Sequence, residues 1–270
     1  MFSKKVEHLN IEILFFKILQ LVEGDYVMTD CIVDFPFIKG VSFGDSAKKG
    51  DFASRNTFAS LNSILDNLDF NTVVLPINIW QKNFSSLDLV NSCSSTPDDW
   101  EIENLVDYIH KKGFRVVLKP TIKVETPQSG SIQAENFPSN WFESYTKFIL
   151  HVAEIATEVG CSILSVGSAL PNLTKYDLLW RRLIHEVRNS YSGFLTYISE
   201  NDEENINWWD SLDIINTKPS GDFLSAIKNI DTTKKYDKPY IISGSSDLKP
   251  DNFKSVQSEN ISRFRGFVLG

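Results

Sequence analysis

The feature that most constrains this chain is an alternation of short β-rich runs with longer helical patterns, sustained from residue 38 onward. The β-rich runs are 38–44, 72–80, 115–122, 162–170, 194–199, 213–217, 239–243 and 265–269. Between them, apolar residues recur at helical spacing. Phe58, Leu61, Leu65 and Leu68 share one face, and Ile102, Leu105, Val106 and Ile109 share another. Trp141, Tyr145, Phe148, Val152, Ile155 and Val159 make a long stripe, followed by Leu179, Leu183, Val187 and Tyr191. Shorter helices are expected over 205–212, 222–230 and 251–264. Crossovers of a dozen or so residues leave successive strands parallel. Eight such units predict a closed (β/α)8 TIM barrel, an α/β fold, over an open doubly wound sheet. No glycine-rich phosphate fingerprint follows the first run, which argues against a nucleotide-binding sheet.

Local signals agree with this division. Thr96-Pro97-Asp98-Asp99 opens one helix: Thr96 can cap, Pro97 suits the first helical position, and the acids favour the positive dipole end. Gly113, Gly160 and Gly193 stand where helices end. The chain stops at Gly270, just after the eighth run, so the eighth helix is expected to be missing. Upstream, Ile11, Leu14, Phe15, Ile18 and Leu21 form an amphipathic stripe, and Glu7, Glu12 and Lys17 break any secretory-leader pattern. We therefore expect an N-terminal helical extension, 1–37, covering the strip that strands one and eight would expose, and a barrel over 38–270.

The formal net charge of −8 argues against nucleic-acid partners and anionic membranes, and leaves neutral ligands open. No run of about 20 apolar residues is present, so no membrane span is expected. Cys31, Cys93 and Cys161 lack metal-ligand spacing and are expected as free thiols in a reducing, cytoplasmic setting. His8, His110, His151 and His185 fall in helices or the N-terminal arm, away from any site. Neither a metal nor a cofactor is expected.

In barrels of this kind the site lies at the C-terminal ends of the strands. Several segments are informative there and nearby: Gly40-Val41-Ser42-Phe43-Gly44 with Gly50-Asp51-Phe52, Asn71-Thr72-Val73-Val74-Leu75-Pro76 with Trp80, and Val117-Leu118-Lys119-Pro120-Thr121. Trp141-Phe142, Trp180-Arg181-Arg182, Thr196-Tyr197, Trp208-Trp209-Asp210, Lys238-Pro239 and Arg265-Gly266-Phe267 continue the series. In this order they resemble glycoside hydrolase family 113, which contains β-mannanases and relatives often labelled xylanase-like.

That resemblance implies a retaining reaction with two glutamates, an acid/base and a nucleophile, about 5–5.5 Å apart. It puts the first at the end of strand four, where this chain reads Gly167-Ser168-Ala169-Leu170, so Ala169 holds the position. It puts the second at the end of strand seven, where Ser243-Gly244 gives Gly244. Neither alanine nor glycine can transfer a proton or form a glycosyl ester. Other site positions depart too: Lys123-Val124-Glu125-Thr126 follows strand three, Ile198 replaces an expected asparagine, and Asn216-Thr217-Lys218-Pro219 lacks an expected tyrosine.

Glu200 and Asp247, with Glu125, are the carboxylates that could restore catalysis from displaced positions; their plain alternative is a solvated loop. Trp80, Lys119 and Tyr197 are the candidate sugar contacts. Rim packing is the alternative for Trp80 and a structural ion pair for Lys119. Trp208 and Trp209 are expected mainly in the core, with Asp210 and Asp213 positioning that segment. The sequence thus predicts a glycosidase-like pseudoenzyme with an oligosaccharide as its partner. The alternatives are an active retaining hydrolase and a structural or interaction protein with no sugar site.

Overall fold

Eight parallel strands close on one another in this computed structural model, which describes residues 35–67, 70–90, 96–126, 131–134, 136–200, 202–218, 232–244 and 263–269. The elements are β1 (Ile38–Ser42), α1 (Arg55–Asn67), β2 (Thr72–Gln81), β3 (Leu89–Val90), α2 (Asp99–Lys111), β4 (Arg115–Val124) and α3 (Pro138–Glu158). They continue with β5 (Ile163–Ser168), α4 (Asp177–Arg188), β6 (Phe194–Ser199), β7 (Ile214–Thr217), β8 (Tyr240–Ser243) and β9 (Phe264–Leu269). Around the barrel the order is β1-β9-β8-β7-β6-β5-β4-β2, and β1 pairs with β2 to close it. The predicted (β/α)8 barrel is the observed fold.

Alternation along each strand sorts side chains between the barrel axis and the helical layer. On β4, Val117, Lys119 and Thr121 face the axis, whereas Val116 and Leu118 are fully buried toward the helices. Strands covered on both faces need no polar alternation, which is why β2 reads as a near-continuous apolar run.

Between the barrel and helices α3 and α4 lies an aromatic layer. Trp180 stacks on Trp208 with ring centroids 4.6 Å apart, and Tyr197 meets both edge-on. Trp141 stacks on Tyr145 at 4.7 Å. The polar ends of these rings are all used. Trp180, Trp208 and Trp209 donate to the carbonyls of Leu173, Thr174 and Glu203, and the Tyr145 hydroxyl donates to Val166. Gly167 is small because this layer presses on it: a Cβ there would stand 2.8 Å from the Tyr145 hydroxyl.

Three expectations need adjustment. First, β3 is an antiparallel hook on the end of β2, pairing Trp80 with Val90, and no alternation signalled its two residues. Second, the helix expected over 205–212 is two 3-10 turns, Glu203–Asn205 and Trp209–Ser211. The buried anchors Trp208 and Trp209 tie that connection down, leaving no room for a full amphipathic helix. Third, α2 begins at Asp99 with Asp98 as its N-cap, because the Thr96 hydroxyl instead donates to the Asn78 carbonyl at 3.4 Å. Glu101 accepts the Asp98 N–H at 2.8 Å and the Gly50 N–H at 2.9 Å, joining the helix start to the loop after β1.

Asp210 and Asp213 position their segment as expected. Asp210 pairs with Arg181, and Asp213 accepts the Leu195 N–H at 2.7 Å and an Arg188 guanidinium contact. His110, His151 and His185 lie on helices outside the barrel. Cys161 is a buried free thiol, pushed up to about 12 by burial. Cys31, Cys93, His8, the N-terminal extension with its helix over 11–22, and the helices expected over 222–230 and 251–264 lie outside the described residues. No described helix is long and apolar enough to cross a membrane.

Candidate active site

A cavity of about 420 Å³ runs down the barrel axis and opens at the C-terminal ends of the strands. Its floor is apolar, made by Ile38, Val117, Ile163, Ile241 and Val268. Its rim is polar, with Asp45, Lys119, Ser168, Asn216, Lys218 and Ser243 among the lining residues. Most rim residues sit at or just past the end of a barrel strand, where the backbone leaves the ladder, and Lys119 reaches the opening from the middle of β4.

Ala169 and Gly244, the two positions where the resemblance places catalytic glutamates, line this same cavity. Both have left-handed backbones, with φ of +53° at Ala169 and +80° at Gly244. At Ala169 an L side chain is strained; its N–H is held by the Ile198 carbonyl at 2.9 Å. Beside Gly244 runs the stem of Lys218, which fills the space a side chain there would occupy.

Two lysine–carboxylate pairs mark the rim. The Lys119 ammonium is 3.5 Å from Asp45, whose other oxygen accepts the Ser42 hydroxyl at 2.8 Å. The Lys218 ammonium is 3.1 Å from Glu200. Lys119 is held below the ordinary lysine range. Burial is the largest cause, Asp45 opposes it, and the neighbouring cations Lys123 and Lys218 add to it. Between the pairs, Ser243 donates to the Asn216 amide oxygen at 2.8 Å, and Ser199 donates to the Asn216 carbonyl at 3.2 Å.

The sequence-predicted contacts separate in space. Lys119 lines the cavity. Trp80 lies on the pleat face of Val74, which also lines it, and pairs with Lys123 in the ladder. Its buried indole Nε1 has no hydrogen-bond partner among the described residues, and neither has the Asn78 amide oxygen two residues earlier. Tyr197 is elsewhere: fully buried in the aromatic layer, its hydroxyl accepts the Leu170 N–H at 2.9 Å. Strand parity explains this, since its neighbours Thr196 and Ile198 take the axis-facing places. Burial drives the Tyr197 phenol well above its ordinary range.

Of the displaced carboxylates, Glu200 reaches the rim through Lys218, Glu125 is exposed beyond β4, and Asp247 lies outside the described residues. Asp45 and Lys218 are site residues that sequence reasoning did not single out. Asp45 stands three residues past β1, and loop residues at that distance carry no periodic signal. Among the described residues no group of three or more metal-ligating side chains is present.

A closed parallel barrel whose polar groups converge at the C-terminal ends of its strands defines the (β/α)8-barrel class of folds. Within that class the chain belongs to Glycoside Hydrolase Family 113, whose model matches residues 41–245. A GH113 β-1,4-mannanase structure is 27% identical, with a TM-score of 0.74 over 87% of this chain and 88% of that one. The GH113 β-mannanase of Alicyclobacillus acidocaldarius, in complex with ManMIm, is 23% identical, with a TM-score of 0.77 over 88% and 87%. A GH53 catalytic domain from Ignisphaera aggregans is 11% identical, at TM-score 0.55 over 88% and 86%, and shares the fold alone. Among curated protein sequences, none matches.

Proposed function

We propose that this family member has lost the double-displacement reaction and keeps the barrel mouth as a carbohydrate-binding site. The observation that carries this is that Ala169 and Gly244, the positions where the resemblance puts the two glutamates the reaction needs, line one cavity. The carboxylates near the opening, Asp45 and Glu200, each receive a lysine ammonium. Support for binding comes from the cavity's polar rim, where Ser168 and Asn216 can meet sugar hydroxyls, and from the Trp80 ring near the end of β2 as a stacking surface. The ligand class, manno- or xylo-oligosaccharide, follows from the family alone.

The test is to incubate the protein with mannan, xylan and manno-oligosaccharides and, in parallel, to titrate the oligosaccharides against tryptophan fluorescence. We expect no turnover above background and a saturable fluorescence response that Trp80→Ala abolishes. Turnover lost in Glu200→Gln or Asp247→Asn would establish a hydrolase with displaced carboxylates instead. No response at millimolar ligand, unchanged in Trp80→Ala, would leave a structural or interaction protein.

A further inference from the structure

We infer that Lys119 is a carbonyl-reactive amine: the barrel mouth can take the open-chain form of a small hydroxyaldehyde or hydroxyketone and bind it as an imine on the Lys119 side chain. This goes beyond sugar binding at the rim and holds whether or not an oligosaccharide binds there.

The geometry supplies what imine formation needs. Lys119 projects from the middle of β4 into the axial cavity above its apolar floor, and its side chain is only 20% exposed. An amine nucleophile must be uncharged, and burial beside other cations is how proteins keep it so. Among the described residues, three charged groups act on it. Lys123 and Lys218 disfavour its ammonium form, Asp45 favours it, and burial outweighs Asp45. Glu200 is engaged with Lys218. The Asp45 carboxylate, 3.5 Å from the nitrogen, is placed to take up the ammonium proton. Ser168 and Ser243 line the same space and offer hydroxyls to a polyol.

The step balances without any further reactant. The Nζ lone pair attacks the carbonyl carbon; the C–N bond forms as the C=O pair moves onto oxygen. A proton passes from nitrogen to that oxygen, giving a carbinolamine. The hydroxyl then takes the remaining N–H proton as the C–O bond breaks, so water leaves and the freed nitrogen electron pair closes the C=N bond. Borohydride added as a reagent would deliver hydride to the imine carbon while water protonates nitrogen, fixing the adduct as a secondary amine.

The experiment incubates the full chain with glycolaldehyde or dihydroxyacetone and borohydride across a pH series, then locates modified lysines by peptide mass spectrometry. Lys111 and Lys147, whose side chains are 73% and 74% exposed, serve as internal references. We expect Lys119 to be modified more than about threefold faster than either near neutral pH. In Lys218→Met, which removes a neighbouring cation, the Lys119 rate profile should move to higher pH. Lys119→Arg should remove that adduct while the references still react, which checks the site assignment in the folded protein. Modification of Lys119 no faster than Lys111 and Lys147, or a profile that Lys218→Met leaves in place, would overturn the inference.

Discussion

Lys218 lies across Gly244: a Cβ built on that glycine would fall 3.0 Å from the lysine Cγ, 3.1 Å from Cδ and 3.2 Å from Cε. The stem thus occupies ground where the family's nucleophile is expected, and its ammonium turns away to Glu200. A flexible side chain can swing aside, but the φ of +80° at Gly244 belongs to the backbone. Gly244→Ala should therefore cost about 1–2 kcal/mol of stability, the usual penalty for an L side chain in the left-handed region. Lys218→Ala in the same chain should not recover it. Urea unfolding of the single and double variants checks both statements, and Gly244→Glu should carry the same penalty.

Tyr197 separates a sugar contact from a structural one. Its hydroxyl is the acceptor for the Leu170 N–H, and Leu170 is itself buried. Tyr197→Phe would strand that donor, at a cost of about 1–3 kcal/mol. Chemical denaturation should show the loss, while oligosaccharide titration at the rim should be unchanged.

Glu101 fastens the loop that carries Asp45. Though only 1% exposed, it accepts backbone N–H groups from both Asp98 and Gly50. Glu101→Ala should cost about 1–3 kcal/mol by removing a helix-start acceptor. Amide hydrogen exchange over residues 48–54 should quicken more than exchange at the far end of α2.

Asp202 gives the pH dependence. Burial raises it above the ordinary 3.8, against the Glu200 N–H and the Thr174 hydroxyl, which favour its charged form. A carboxyl raised on folding binds its proton more tightly in the native state. Stability from this group is therefore present below the unfolded value and is lost as pH rises from there through the folded one. Asp202→Asn keeps an acceptor and supplies a donor, so it should raise the melting temperature near neutral pH. The gain should shrink as pH falls toward 4.

Much of the fold was legible because it is periodic. Strand parity and helical spacing place Val116, Leu118, Ile102 and Leu105 inside without any knowledge of neighbours, and the eight runs follow from the same signal. Ala169 and Gly244 were reached only through the ordered resemblance, since neither carries a chemical signal of its own. Tyr197 was misplaced by reasoning from its position near a strand end. Pleat parity, a stricter guide, sends it outward to Trp180 and Trp208. Asp45, the Lys218 stem and the unpartnered Trp80 indole were not legible, because each depends on what another strand brings beside it.

From the amino-acid order alone came the strand and helix alternation and the parallel barrel it implies. These are properties of single segments, set by backbone hydrogen bonding and side-chain period. The tertiary structure alone decided that Lys119 faces Asp45, Lys123 and Lys218 together, and that Lys218 covers Gly244. Closure of the barrel brings β1, β4 and β7 to one opening, and proximity across that opening, with the desolvation it imposes, is a property no single segment possesses.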